Sequence, residues 1–490
     1  MAKRMKRTAL TARWVVGHAD GSHRLFQNGT VVVEGTQVLF VGHRFDGPVD
    51  ETIDFGAAMI GPGFVDLDAL SDLDTTVLGY DNHPPELKGR VWPESYQQAG
   101  PREMYTPDEL AWQKRYAFTR LIRNGITTAL PIASLFYRAW GETVAEFEAA
   151  AEAAADLGLR VYLGPAYRSG NLVVGTDRKI GFHYDEARGL DGLDAAARFI
   201  DSHENTRNGL VRTMLAPDRI ETCTPELLRR SGAQARDHDV PVRLHCCQSR
   251  LEYDLVVQQH GKSPLELLRD TAFFARSTIL PHGLFLSGIN GITYQAPDLD
   301  ILVTSGAALA HCPLVMARSG KVMQSFARFR DLGVTIGMGT DTHPPDMIQN
   351  MAVGVMTARI AGGDVTTVRA ADYYDAATLG GAEALKRPDL GRLAPGCAAD
   401  LNVIRLDTPE MGQVIDPIQT LLLNGSGRDV SDVMIAGRFV MRDGIIPGVD
   451  AAADRERAQA QFDRMVAQYP DRTLFHPPLD QIFPPSYLLG

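Results

Sequence analysis

Eight short apolar runs, mostly separated by amphipathic stretches, constrain the fold of this chain more than any other feature. The runs fall at 59–67, 127–132, 161–165, 211–215, 241–246, 278–281, 301–304 and 334–339. Helical periodicity lies between them at 107–124, 142–157, 225–238, 263–270 and 316–332, and the Ala- and Glu-rich segment 142–157 has a strong helix composition. Strands that alternate with helices make a parallel sheet, because parallel neighbours need a long crossover connection. Eight such units predict an α/β fold with a (β/α)8 TIM barrel. The rival is an open doubly wound sheet, but no Gly-rich dinucleotide turn follows the first run.

The flanks have a different texture. Gly29–Gly42 holds two β-branched runs around Glu34-Gly35, a hairpin signal, and short strands separated by glycines return at 399–404 and 433–444. Both ends together predict one small composite β-sandwich domain. The expected organisation is 1–60 as its N-terminal part, 61–390 as the barrel, 391–450 as its C-terminal part, and 451–490 as a helix with an apolar tail. That tail, Phe475-His-Pro-Pro-Leu onward, needs cover from the barrel or from a second copy, so a homodimer is expected.

Charge narrows the partners. Lys and Arg number 49 against 60 Asp and Glu, a net charge of −11, which argues against nucleic acid and against an anionic membrane. Five cysteines are too few and oddly numbered for a disulfide framework. The basic start, Lys3-Arg-Met-Lys-Arg, is followed by no apolar run of signal length, so the chain reads as cytoplasmic. The partner that remains is a small molecule.

Catalytic groups of a barrel stand at the C-terminal ends of its strands. Those positions are Asp66 and Asp68 after the first run, His245 in the fifth, His282 after the sixth, His311 after the seventh and Asp341 after the eighth. Each of the last three lies beside a breaker, in Pro281-His-Gly, His311-Cys-Pro and Gly339-Thr-Asp. Polar groups at the tips of several strands converge on one mouth.

In this order and spacing the motifs Gly61-Pro-Gly-Phe-Val-Asp, Asn124-Gly-Ile-Thr-Thr, His311-Cys-Pro-Leu-Val, Gly337-Met-Gly-Thr-Asp and Gly391-Arg-Leu-Ala-Pro-Gly resemble the metal-dependent amidohydrolase superfamily. The nearest branch is that of deaminases and chlorohydrolases. The resemblance implies hydrolysis of a C–N bond, or displacement of a small leaving group, on a urea-like, amide or N-heteroaromatic compound by metal-activated water. Two departures stand out. The family's His-x-His on strand 1 is Asp68-Ala-Leu70 here, and its His-x-x-Glu on strand 5 is His245-Cys-Cys-Gln248. Leucine cannot bind a metal, and glutamine cannot take a proton near neutral pH. Asp72 and Asp74 are available as substitute oxygens.

The resemblance then leaves His245, His282 and Asp341 as ligands of one divalent metal, zinc or iron. Strand 4 has no Lys, which disfavours two metals. Asp341 and His282 become the candidates for proton transfer, with Gln248 and His311 orienting substrate. Asp68 can contribute oxygen, while His343, His83 and Trp92 sit in loops over the mouth as further substrate contacts. Adjacent strand residues point to opposite faces, so Cys246 and Cys247 are expected to face apart. Two alternatives keep the fold: metal-independent acid–base chemistry at the same three residues, such as an isomerisation, lyase step or cyclisation, and a binding protein without catalysis.

Overall fold

The computed structural model describes residues 5–73, 75–81 and 91–487. The candidate residues His83 and Asp74 lie outside them.

Both flanks enter one sheet. Strands β1 (Arg7–Ala19), β2 (Ser22–Glu34), β3 (Gln37–Gly42), β4 (Glu51–Asp54) and β5 (Ala58–Pro62) come from the N-terminal side. β1 and β2 pair antiparallel from Arg7 opposite Glu34 to Ala19 opposite Ser22. Asp20 and Gly21 join them with φ of 51° and 77°, the pair of positive angles that a tight hairpin turn needs. The hairpin expected around Glu34-Gly35 is also present, between β2 and β3.

β6 (Phe64–Leu70) begins a second sheet, and the expected single run 59–67 is divided between the two. The division falls at Gly63, where a Cβ would stand 2.1 Å from the Thr127 side chain. Along the chain follow β7 (Ile126–Ile132), β8 (Arg160–Leu163), β9 (Val211–Thr213), β10 (Val242–Arg243), β11 (Thr278–Pro281), β12 (Ala308–His311) and β13 (Ile336–Met338). These pair in parallel in the order β9-β8-β7-β6-β13-β12-β11-β10. At the two ends of that order Leu215 N donates to Pro241 O at 2.9 Å, and Arg243 N donates to Leu215 O at 2.9 Å.

The C-terminal strands are β14 (Leu401–Arg405), β15 (Val430–Ile435) and β16 (Arg438–Met441). β14 lies antiparallel to β5, from Leu401 opposite Pro62 to Arg405 opposite Ala58. That pairing seats both flanks in one sheet of order β16-β15-β14-β5-β1-β2-β3. Leu10, Val31, Ile60, Leu401 and Val403 form its dry interior.

Two sequence expectations are corrected. The run 301–304 is helix, within Asp298–Ser305, and the seventh strand is Ala308–His311. Ile301 and Leu302 are buried while Val303 is 39% exposed, a pattern of one helical face, and a short apolar run alone does not distinguish the two periods. The helix expected over 316–332 is two short ones, Pro313–Arg318 and Phe326–Asp331. Gly320, at φ 69°, lies between them.

The helical turn Ala376–Gly380 presses against β13 so closely that a Cβ on Gly380 would meet Ile336 O at 2.1 Å. Backbone cannot yield as a flexible side chain does, so Gly380→Ala is expected to cost about 2 kcal/mol. Urea unfolding checks this, and a cost near zero would mean that the contact relaxes freely.

The C-terminal segment is covered in part by its own chain. Tyr469, Leu474 and Ile482 are buried, and Arg472 lies 5.3 Å from the Trp92 ring and 5.7 Å from Tyr137. Phe475 and Tyr487 of the tail remain exposed. No helix among the described residues is long and apolar enough to cross a membrane.

Candidate active site

The parallel strands bring Asp68, His245, His282 and Asp341 together where β6, β10, β11 and β13 end. Two carboxylates on β6 do different work. Asp66 is wholly buried and accepts hydrogen bonds from Asp68 N at 3.1 Å, Thr340 N at 3.0 Å and Thr340 Oγ1 at 2.6 Å. Burial pushes its carboxyl up to about 7, against the pull of those bonds. It ties β6 to the turn after β13, and Asp341 N then donates to Asp68 O at 2.8 Å. The tip of the eighth strand is thereby hung on the first.

Asp68 Oδ1 lies 3.6 Å from His245 Nε2 and 3.2 Å from the Arg243 guanidinium. Burial raises the Asp68 carboxyl to about 6, with Arg243 opposing the rise. His245 Nδ1 meets the Asp218 carbonyl at 2.8 Å. A carbonyl only accepts, so Nδ1 carries the proton and the Nε2 lone pair faces Asp68. Burial first, then Arg243 and Arg219, holds this imidazole well below the usual histidine range.

His282 is fully buried, and neither ring nitrogen has a hydrogen-bond partner among the described residues. Its ring stacks on His245 at 5.5 Å, and Nε2 lies 3.8 Å from Asp341 Oδ2. Burial, then the neighbouring His245, holds it well below the usual histidine range. An imidazole buried with both nitrogens unsatisfied costs free energy unless something binds it. His282 and Asp341 also hold φ of 77° and 42°, a region that side chains rarely adopt and that is over-represented at functional sites.

These atoms suit a divalent metal. Donor atoms of Asp68, His245 and His282 all lie within 4.8 Å of one another. One imidazole has its other nitrogen fixed on a carbonyl, as metal-ligating histidines do, and the second offers unused lone-pair capacity. Asp68 thus lies within this group of potential donor atoms and does not line the cavity.

Above this group opens a cavity of about 550 Å³. Its floor includes His245, Gln248 and Asp341, and its apolar wall includes Leu70, Phe136 and Trp92. Leu70 thus fills with hydrocarbon the place where the resemblance implied a second histidine. Two guanidinium groups lie over the Trp92 ring, Arg168 at 5.4 Å and Arg472 at 5.3 Å. Gln248 N donates to Glu252 Oε2 at 2.9 Å, so the residue that replaces the expected glutamate is backed by another. Burial, then Glu221, pushes the Glu252 carboxyl up to about 8.

Two sequence candidates are placed away from the cavity wall. His311 packs its ring 6.0 Å from Phe326 and from Tyr373, and burial lowers it to about 3. His343 Nε2 lies 3.1 Å from Arg120 Nη2, and its carbonyl accepts from Arg318 at 3.1 Å. The cysteine expectation is also corrected. Cys246 Sγ and Cys247 Sγ lie 3.6 Å apart, because the strand has ended and Cys247 turns to φ 61°.

Sequence reading missed Arg243, Arg219 and Glu252. The signal for Arg243 was available: it stands two residues before His245 on one strand, and period two puts both on the inner face. Arg219 follows the fourth strand, and its guanidinium lies 4.8 Å from the Phe136 ring on the cavity wall.

The chain is similar to known proteins along most of its length. The model of the amidohydrolase family matches residues 72–440. A 5-methylthioadenosine/S-adenosylhomocysteine deaminase of Natronomonas pharaonis is 28% identical over 442 residues, covering 89% of this chain and 93% of that protein. Its counterpart in Haloarcula marismortui is 29% identical, covering 86% and 90%. Among solved structures, an adenosine deaminase from Xanthomonas campestris with bound zinc superposes with a TM-score of 0.75 at 21% identity, over 94% of this chain and 98% of that one. A mutant atrazine chlorohydrolase from Arthrobacter aurescens TC1, complexed with zinc and atraton, gives 0.76 at 22% identity, over 93% and 99%. Three quarters of the chain matches the family model, and the chain belongs to the amidohydrolase family, as a hydrolase of carbon–nitrogen bonds other than peptide bonds.

Proposed function

We propose that this protein hydrolyses an exocyclic C–N bond of an N-heteroaromatic small molecule, releasing ammonia. The observation that carries the reading is the buried His282, without a hydrogen-bond partner at either nitrogen among the described residues, grouped with His245 and Asp68 and 3.8 Å from Asp341 Oδ2. The eight parallel strands are read as a barrel closed by the Leu215 and Arg243 backbone bonds, with the site at its C-terminal mouth. Residues 1–60 and 391–450 are read as one β-domain built from both flanks.

A single divalent metal would be held by Asp68, His245 and His282 with Asp341 at its edge. Bound there, it supplies acidity to water and polarises the attacked carbon. Zinc is favoured by the relatives solved with it. Asp341 takes a proton from the attacking water and delivers it to the leaving nitrogen. Gln248 cannot shuttle that proton, and its amide orients the ring by hydrogen bonding instead. Leu70, Phe136 and Trp92 hold the flat face of the heterocycle and exclude water from it.

Ammonia release from 5-methylthioadenosine, S-adenosylhomocysteine, adenosine and amino-triazines tests the reading. Turnover of at least one is expected, lost on chelation and recovered with zinc. Turnover that survives exhaustive chelation would move the protein to metal-independent acid–base chemistry.

A further inference from the structure

Arg243 is a buried cation inside the group that would hold the metal. Its side chain is 2% exposed, and Nη1 donates to Asp68 Oδ1 at 3.2 Å and to Leu130 O at 3.3 Å. Nε has no partner among the described residues. Burying a guanidinium at this depth is costly unless an anion pairs with it, and Asp68 is the carboxylate it touches. Asp68 in turn occupies a position where a neutral imidazole would add no charge. Aspartate there adds one negative charge, and Arg243 cancels it.

We propose that Arg243 is the charge-compensating residue of the metal site: the Asp68–Arg243 pair is neutral overall, as a histidine would be, and Arg243 sets the affinity for the divalent ion. This rests on the reading of Asp68, His245 and His282 as a metal-binding group. Without Arg243, the Asp68 carboxylate would face the ion against only the weaker field of Arg219, and Coulomb attraction at low effective dielectric would bind the ion more tightly. Arg243 therefore keeps the ion exchangeable while leaving Asp68 oriented. A plain structural prop predicts the reverse, because Asp68 would lose its anchor and zinc would bind more weakly.

The test uses the full-length protein stripped of metal, with zinc itself as probe, titrated against a chromophoric chelator. Arg243→Met and Arg243→Gln are expected to bind zinc about tenfold or more tightly than the parent chain. Arg243→Lys, which keeps the charge, is expected to stay within about threefold. Circular dichroism and a thermal melt select the neutral variants that fold, and either one suffices. Equal or weaker zinc binding by a folded neutral variant overturns the proposal. His282→Ala separates the two levels: unchanged zinc binding there would sink the metal-site reading itself, whereas loss there with no gain in the Arg243 variants sinks only the role of Arg243.

Discussion

Asp341→Asn is expected to lower kcat by about a hundred- to ten-thousandfold, the usual worth of a positioned proton-transfer group. The substitution is unusually clean here. Asp341 sits at φ 42°, and asparagine tolerates that conformation nearly as well as aspartate. The backbone bond from residue 341 N to Asp68 O does not depend on the side chain. The amide keeps the shape and removes the ability to accept the proton. Steady-state rates of ammonia release, with a thermal melt to confirm the fold, provide the check. A loss smaller than about tenfold would assign the proton transfer to another group, and Glu252 on the cavity wall would be the next residue to replace.

Lys114→Met is expected to destabilise the fold by about 3–5 kcal/mol, because it removes the cation hydrogen-bonded to the buried Glu142. Lys114 Nζ donates to Glu142 Oε1 and to Ser71 Oγ, each at 2.8 Å, and lies 4.0 Å from Glu146. Arg138 completes the network with bonds of 3.0 and 2.9 Å to Glu146. Burial would raise the Glu146 carboxyl, yet Lys114 and Arg138 together hold it below the usual range. Glu142 Oε2 also accepts from Ala166 N at 2.9 Å, so the network reaches the segment that follows β8. Ser71 directly follows β6, so the same network braces the strand that carries Asp68. Urea unfolding gives the cost, and a value below about 1 kcal/mol would mean that water reaches the carboxylates once the lysine is gone.

The legible part of the site came from chemistry that has few other reasons to occur. An acid in Gly339-Thr-Asp341, at the tip of an apolar strand, has no packing value, and the structure places it on the cavity floor. The Leu70 substitution was equally legible, since leucine has no lone pair whatever surrounds it. His311 and His343 were misplaced for a common reason. Proximity to a strand end says which residues approach the mouth but not which way a ring turns, and His311 turns toward Phe326 and Tyr373. The run 301–304 failed for another reason. Four apolar residues fit one turn of helix as well as a strand, and only burial of Ile301 and Leu302 against exposure of Val303 separates them.

By itself the sequence determined the alternation of strands and helices, the composite sheet from both flanks, and which residue types are available at the strand tips. Those follow from periodicity and turn chemistry, which act over a few residues. Tertiary structure alone decided that Arg243 meets Asp68 across 175 positions of chain, and that His282 has no hydrogen-bond partner at either ring nitrogen among the described residues. It also decided that Arg472 near the chain end reaches Trp92 at the cavity wall. These are long-range electrostatic facts, set by which side chains the closed packing forces into one low-dielectric space, and no local pattern encodes them.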